Sequence, residues 1–109
     1  ILDLAQKENC VIVGRCSDYI LRDNKNCLKV FFSAPMERRI SRIMKRFSMT
    51  EKEARQKIQK EDKHRADNYR YYTGRIWGTA GNFDLTVNTE LGVDYIEEGV
   101  RRALGHMGK

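Results

Sequence analysis

The chain has 109 residues, which fits a single domain spanning residues 1–109. Its 40% hydrophobic and 33% charged residues suit a globular protein and exclude a disordered chain. The 21 Lys and Arg residues outnumber the 15 Asp and Glu residues, giving a net charge of +6. The surface is therefore expected to attract anions such as nucleotides, nucleic acid or acidic lipid.

The three cysteines do not suggest a metal site. Cys10, Cys16 and Cys27 form no Cys-x-x-Cys pair and have no histidine nearby in the sequence, which disfavours zinc. Their odd number argues against a disulfide framework, and reduced thiols are typical of cytoplasmic proteins. No apolar run is long enough to span a bilayer, and the chain does not open with a signal-peptide pattern. We therefore expect a cytoplasmic protein without a membrane partner.

The first third of the chain predicts two strands. Residues 1–9 have the spacing of a helix end, and residues 10–13 form an apolar run typical of a strand buried in a parallel sheet. Arg15 directly follows this strand, where ligands of open α/β sheets bind, so it is a candidate substrate-binding residue. The alternative is a solvent-exposed loop arginine. Residues 18–21 predict a short helical turn, and residues 27–32 predict a second strand.

The clearest helix follows Pro35, which suits the first turn of a helix. Apolar side chains then recur on one helical stripe: Met36, Ile40, Ile43, Met44 and Phe47. The opposite side is basic and carries Arg38, Arg39, Arg42, Lys45 and Arg46. This side fits either a solvated surface or a phosphate-binding surface, and the solvated surface is the commoner case.

A second helix is predicted to begin at about residue 51. Thr50 and Glu53 have the spacing of a capping box, and Met49 and Ala54 occupy the positions of a hydrophobic staple. The inner face starts with Ala54 and Ile58 but then presents charged side chains: Glu61, Asp62 and Arg65. Either the helix leaves the core at this point, or these charges surround a ligand.

Residues 60–75 are nearly all charged or aromatic, so we expect them to meet a ligand rather than to pack in a core. A glycine-rich stretch at residues 73–82 predicts a mobile loop. Residues 83–88 predict a third strand, and a final amphipathic helix is expected to end at Gly105. The alternation of strands and helices indicates an α/β layered fold.

The sequence favours chemistry on phosphate. Neither histidine has a serine or cysteine partner identifiable by spacing, and the carboxylates show no metal-ligand pattern. Phosphoryl transfer mostly requires positioning and charge neutralisation, and the planar arginine fork binds phosphate through two hydrogen bonds. Four arginines are candidates for this work: Arg15, Arg65, Arg70 and Arg75.

Several short motifs, taken together, resemble the nucleoside monophosphate kinases of the cytidylate kinase type, and most closely the cytidylate kinase-like branch. The resemblance covers about residues 9–104. The motifs are Val-Ile-Val-Gly-Arg at 11–15, Phe-Phe-Ser-Ala-Pro at 31–35, Glu37-Arg38-Arg39, Asp62-x-x-Arg65, Tyr-Tyr-Thr-Gly at 71–74, Trp77-Gly78, Asn-Phe-Asp-Leu at 82–85 and Asn88-Thr89.

The resemblance implies an α/β, three-layer P-loop kinase fold with a parallel five-stranded sheet and a helical lid, here at about residues 49–81. It implies that Arg15 contacts the phosphate of the acceptor nucleotide, that Asp62 faces the acceptor nucleoside, and that Arg65 faces the transferring phosphate. Arg42 is carried over as a second catalytic arginine. Arg70, one of the four candidate arginines named above, is expected to bind substrate. The implied ligands are ATP, Mg²⁺ and an acceptor monophosphate, CMP or dCMP.

One departure from the family is large. The phosphate-binding Gly-x-x-x-x-Gly-Lys-[Ser/Thr] motif is absent, and the sole Gly-Lys pair is Gly108-Lys109. The chain therefore resembles the C-terminal part of a longer kinase, inactive alone, which is expected to associate with the missing N-terminal part or with itself. In the family's strand order, 2-3-1-4-5, the missing first strand separates the strands near Val11 and Leu28. We thus expect the strands near Leu28 and Asp84 to stay paired.

Two other function classes remain open. A nucleotide-sensing module that keeps the kinase fold without catalysis would also lack the phosphate-binding motif. A nucleic-acid-binding module would use the positive charge and the aromatic residues near Tyr71 to stack bases, although no RNA-binding motif is present.

Overall fold

The computed structural model describes residues 11–14 and 16–107. In this part of the chain, four α-helices and two strands form a mixed α/β structure: α1 Ser17–Ile20, β1 Val30–Ser33, α2 Met36–Phe47, α3 Glu51–Thr73, β2 Leu85–Asn88 and α4 Val93–Met107. Short 3₁₀ turns lie at Ala80–Asn82 and Thr89–Leu91. The predicted α/β class is confirmed at this level.

The two strands form a small parallel sheet. Their register runs from Val30 opposite Leu85 to Ser33 opposite Asn88. Just before the strands, Lys29 donates its backbone N–H to a carboxylate oxygen of Asp84 at 2.7 Å. The Lys29 carbonyl in turn accepts the N–H groups of Asp84 and Leu85, at 2.7 and 3.1 Å. The expected pairing of these two strands is confirmed, although each begins two or three residues later than predicted.

The strand predicted at residues 10–13 is wrong for residues 11–13, which lie outside any strand. Val11 and Val13 are exposed to solvent. A parallel strand needs a hydrogen-bonded neighbour, and in the described part of the chain β1 and β2 pair only with each other. Val11 and Val30 are not paired, as expected. The other predicted features of this region, residue 10, Arg15 and the helix end at residues 1–9, lie outside the described residues.

The hydrophobic core lies between α2 and α3. Ile40, Ala54 and Ile58 are buried, and partly buried apolar side chains pack around them: Met36, Ile43, Met44 and Met49. The Thr50 side chain accepts the N–H of Glu53, and the Glu53 carboxylate accepts the N–H of Thr50, so the predicted capping box is confirmed. Pro35 is the N-cap of α2, directly before the first helical turn. The sequence pattern therefore defines this helical hairpin well.

Two expectations for the later segments are wrong. Residues 60–75 were expected to contribute nothing to a core, yet Tyr69 is only 5% exposed. The last helix was expected to end at Gly105, yet α4 continues to Met107. A glycine ends a helix when it adopts a positive φ. Gly105 is not among the positive-φ glycines, whereas Gly74, with φ 74°, ends α3.

We expect Ile58→Ala to lower the free energy of unfolding by about 2–5 kcal/mol, because it opens a cavity in the α2–α3 core. Ile76→Ala is the matched control: Ile58 is 3% exposed and Ile76 is 73% exposed. The control should change stability by less than about 0.5 kcal/mol. Urea denaturation followed by circular dichroism measures both values. Equal losses for the two variants would contradict this location of the core.

Candidate functional site

The carboxyl ends of both strands meet at one edge of the sheet. Because β1 and β2 are parallel, Ser33 and Asn88 lie side by side there, and the Ser33 hydroxyl donates to the Val87 carbonyl at 3.4 Å. Open α/β sheets bind ligands beyond this edge. The α2 helix and the Thr89–Leu91 turn follow the two strands. Side chains from these two segments therefore form the candidate site.

A basic groove lies next to this edge. It has a volume of about 250 Å³ and is lined by Arg38, Ser41, Arg42, Lys45 and Glu90. Arg38 Nε lies 3.0 Å from Glu90 Oε2 and so joins α2 to the segment after β2. Neither Arg42 nor Lys45 forms an ion pair with any described residue. The side chains of Arg42 and Lys45 can therefore both bind an external anion in the groove.

A half-buried ion pair connects α2 to α3. Arg39 donates two hydrogen bonds to the Asp62 carboxylate, at 2.7 and 2.6 Å. The two side chains are 29% and 24% exposed. Hydrogen bonding to Asp62 raises the pKa of the Arg39 guanidinium further above its ordinary value. Arg39 therefore keeps its positive charge, and its two hydrogen bonds to Asp62 join the two helices.

Arg65 shares this carboxylate. Its Nη1 lies 3.6 Å from Asp62 Oδ1, and its side chain is 56% exposed. Each carboxylate can accept about four hydrogen bonds, so Asp62 retains acceptor capacity beyond the two bonds from Arg39. Arg65 can turn from this carboxylate toward solvent because the contact is long and exposed. Asp62 thus contacts one half-buried arginine, Arg39, and one exposed arginine, Arg65.

The structure brings together some of the predicted site residues and separates others. Asp62 and Arg65 are neighbours on α3, and Arg42 lies three residues after Arg39 on α2. Arg70 is exposed near the end of α3, and its side chain contacts no described residue through an ion pair or hydrogen bond. Arg15 lies outside the described residues.

Sequence reasoning missed the role of Arg39, which it placed on a basic side of the helix expected to be either solvated or phosphate-binding. Two signals pointed to it. Arg39 borders the apolar stripe of α2 beside Ile40, and Asp62 falls on the inner face of α3, where a carboxylate needs a partner. The sequence offered several cations for that partnership and did not say which one was in reach.

A second polar contact connects α3 to α1. The Tyr69 hydroxyl donates to the Asp18 carboxylate, 51 residues earlier. Burial raises the pKa of Tyr69 to about 12, the bond to Asp18 adds to this effect, and the nearby Arg75 opposes it. Tyr69 therefore stays protonated and connects the C-terminal end of α3 to α1.

The glycine-rich loop packs against β1. The Trp77 ring meets the Phe31 ring edge-on, with centroids 5.5 Å apart. The Phe83 ring also packs on Phe31, with centroids 5.1 Å apart. Gly78 has φ +84°, and a Cβ atom there would lie 3.4 Å from the Phe31 ring. A glycine at this position suits both the positive φ and the close approach to the ring.

The described residues contain no group of three His, Cys, Asp or Glu side chains placed to hold a metal ion. Their helices also include none with the length and apolar character needed to cross a membrane.

Comparison with known proteins identifies the family. The model of the cytidylate kinase-like family matches residues 1–91. The chain belongs to the cytidylate kinase-like family. The match includes Arg39, Arg42, Asp62 and Arg65, so the cytidylate kinase-like region contains the basic groove and the ion pair, but it ends before α4.

A solved structure has the same fold. It is the crystal structure of an uncharacterized protein from Eubacterium ventriosum ATCC 27560, with a TM-score of 0.85 and 29% sequence identity. The alignment covers 94% of this cytidylate kinase-like chain and 57% of the solved chain. The chain therefore spans little more than half of that protein. No curated protein matches it.

We expect the Arg39–Asp62 pair to contribute more to stability than an exposed pair of similar length. Arg101 and Glu97, also 2.6 Å apart but exposed on α4, provide the control. Double-mutant cycles with alanine should give a coupling energy of about 1–3 kcal/mol for the two-bond pair and less than about 0.5 kcal/mol for the control. Equal coupling energies would show that Arg39 does not hold the helices together.

We expect Tyr69 to make stability depend on alkaline pH. Its pKa is about 12 in the folded protein, against about 10 in an unfolded chain. Since this pKa is raised on folding, its contribution is complete below about pH 10 and is lost as the pH rises to about 12. Tyr69→Phe should remove this part of the pH dependence, measured by denaturation at a series of pH values. A slope identical to that of the wild type would contradict the assignment.

Proposed function

We propose that the full-length protein is a nucleoside monophosphate kinase that transfers the γ-phosphate of ATP to CMP or dCMP. The observation that carries the proposal is the groove beyond the carboxyl ends of β1 and β2, where Arg42 has no partner among the described residues. The Arg39–Asp62–Arg65 cluster lies on the same helical hairpin. Membership of the cytidylate kinase-like family supports the same reaction class.

The proposed catalytic work belongs to Arg42 and Arg65. In phosphoryl transfer, negative charge is spread over the phosphate oxygens, and cations placed beside them stabilise the transition state. Arg42 is exposed on α2, and Arg65 is exposed on α3. Both guanidinium groups can therefore approach a phosphate without first breaking a buried ion pair.

The proposed binding work belongs to Asp62, Arg15 and Arg70. Asp62 would accept a hydroxyl group of the acceptor nucleoside while Arg39 holds its carboxylate in place. Arg15 would bind the phosphate of the acceptor, as the resemblance implies, and Arg70 would also bind the substrate. Of these three residues, Asp62 has the strongest support, because its geometry is fixed by two hydrogen bonds.

The residues of the groove fit a polyphosphate. Arg38, Arg42 and Lys45 line it together with the single carboxylate of Glu90. When bound, ATP supplies the phosphoryl group and Mg²⁺ neutralises part of its charge. Mg²⁺ is commonly held by one or two carboxylates plus phosphate oxygens. The lack of a three-ligand cluster in the described residues is compatible with that mode of binding.

The proposal includes a P-loop kinase fold for the full-length protein, with a phosphate-binding P-loop. The 109 residues contain no Gly-x-x-x-x-Gly-Lys-[Ser/Thr] motif. The chain aligns with 57% of the solved chain from Eubacterium ventriosum, so a large part of that solved chain has no counterpart in these 109 residues. We propose that the donor-binding loop comes from a part of the protein outside these 109 residues, that the 109 residues alone are inactive, and that the enzyme works in the cytoplasm.

We expect the full-length protein to phosphorylate CMP or dCMP in an assay with ATP, Mg²⁺ and a panel of nucleoside monophosphates. Arg42→Ala and Arg65→Ala should each lower kcat at least about 100-fold, because each removes a cation from the transferring phosphate. Arg55→Ala is the control, since Arg55 pairs with Glu51 on the exposed side of α3. Transfer to no monophosphate would refute the kinase proposal, and unchanged kcat would refute the two catalytic roles.

The absence of the P-loop motif from these residues also supports a second function, a nucleotide-sensing module without catalysis. Such a module would bind a nucleotide in the groove with the same arginines and release it unchanged. Saturable nucleotide binding without phosphoryl transfer in the full-length protein would favour this function over the kinase.

A further inference from the structure

A second basic cleft lies at the opposite edge of the sheet. Lys29 directly precedes β1 and Asp84 directly precedes β2, so both lie at the amino ends of the strands. The cleft has a volume of about 210 Å³, and its side chains include Arg22, Lys29, Arg75, Asn82 and Asp84. Four strand residues separate it from the groove at the carboxyl edge, which corresponds to roughly 13 Å. It is therefore a separate place on the molecule.

Two arginines of this cleft are held by one aromatic ring. The guanidinium carbon of Arg22 lies 4.0 Å from the centroid of the Tyr19 ring, and that of Arg75 lies 5.0 Å from it. Arg22 also donates to the Tyr19 carbonyl at 2.8 Å. The backbone N–H of Arg75 donates to Thr73 Oγ1 at 3.0 Å. Because the ring restricts both side chains, less conformational entropy is lost when they bind a ligand.

The cleft keeps a net positive charge. Three cations line it against one carboxylate, that of Asp84, which already accepts the Lys29 backbone N–H. Lys29 and Arg75 form no ion pair with any described residue, and Arg22 has only a 4.0 Å contact with the exposed Asp23. Like charges held close together repel each other, and a multivalent anion bound between them would offset this repulsion.

We propose that this cleft binds the phosphate chain of a free nucleotide, at a site separate from the proposed kinase groove. Restricted arginine forks suit phosphate because they can donate two parallel hydrogen bonds, and Asn82 adds an amide at the wall of the cleft. Pockets that enclose whole drug-sized ligands usually measure about 300–1,000 Å³. This smaller cleft suits the phosphates, with the nucleoside left largely in solvent.

The site is tested by titrating the 109-residue chain with pyrophosphate and with ADP while recording ¹H–¹⁵N NMR spectra. Backbone amides of Gly81, Asn82 and Phe83 report on this cleft, and those of Ser41 and Arg42 report on the carboxyl-edge groove. We expect saturable shifts at residues 81–83 with both ligands. Their affinity should fall as NaCl is raised, because exposed charges are screened.

Three variants separate a specific site from general attraction to a basic protein. Lys29→Gln should weaken pyrophosphate binding at residues 81–83 about tenfold, because it removes one of three cations. Asp84→Asn should strengthen it about threefold, because it removes the one carboxylate and keeps an oxygen for the Lys29 N–H. Lys52→Gln is the charge-matched control. It lies at the far end of α3, about 30 Å away along the helix, and should change affinity less than twofold.

Opposite effects of Lys29→Gln and Asp84→Asn, with an unchanged control, would support the proposal. No saturable shift at residues 81–83 up to about 10 mM pyrophosphate, a concentration at which even weak phosphate sites are occupied, would overturn it. Equal weakening by Lys29→Gln and Lys52→Gln would also overturn it. A single-stranded oligonucleotide that binds these residues far more tightly than ADP would reject a free nucleotide as the ligand.

Discussion

The bond between Arg39 and Asp62 is the contact on which the arrangement of the candidate site depends. The α2–α3 hairpin has a small core at Ile40, Ala54 and Ile58, and beyond Ile58 the facing side of α3 turns polar. At that point the two hydrogen bonds from Arg39 replace apolar packing as the link between the helices. Because both side chains are half-buried, removing Asp62 would leave the charge of Arg39 uncompensated.

This pair also determines which arginines remain available. Arg39 is committed to Asp62, and Arg38 is committed to Glu90. Arg42, between them around the helix, makes no such contact in the described residues, and Arg65 touches Asp62 only from its exposed side. A basic helix with five cations is thereby divided into structural arginines and arginines free to meet a phosphate. Composition alone could not make this division.

The sequence predicted the helical hairpin and the parallel pairing of β1 with β2, because a capping box, an apolar stripe and family motifs are local or ordered along the chain. It did not predict the burial of Tyr69 or the partner of Asp62. Tyr69 contacts Asp18, which lies 51 positions away, and Asp62 pairs with Arg39, which lies 23 positions away. The sequence analysis grouped Arg75 with three other candidate arginines for phosphoryl transfer, whereas in the structure Arg75 stacks on Tyr19 at the other edge of the sheet. Contacts between residues so far apart in the sequence depend on how the elements pack, and the spacing of residues along the chain does not reveal that packing.

The contact between Tyr69 and Asp18 attaches α3 near its C-terminal end, so a rotation about this point would move the N-terminal end of the helix furthest. The helix has 23 residues, and Tyr69 lies near its C-terminal end. At about 1.5 Å per residue, the Thr50 end lies about 28 Å from Tyr69. A rotation of about 10° around this anchor would displace the Thr50 end by about 5 Å, while side chains close to Tyr69 would hardly move. Asp62 and Arg65, less than halfway along that distance, would shift by only about 1–2 Å, the scale on which a hydrogen bond is made or broken.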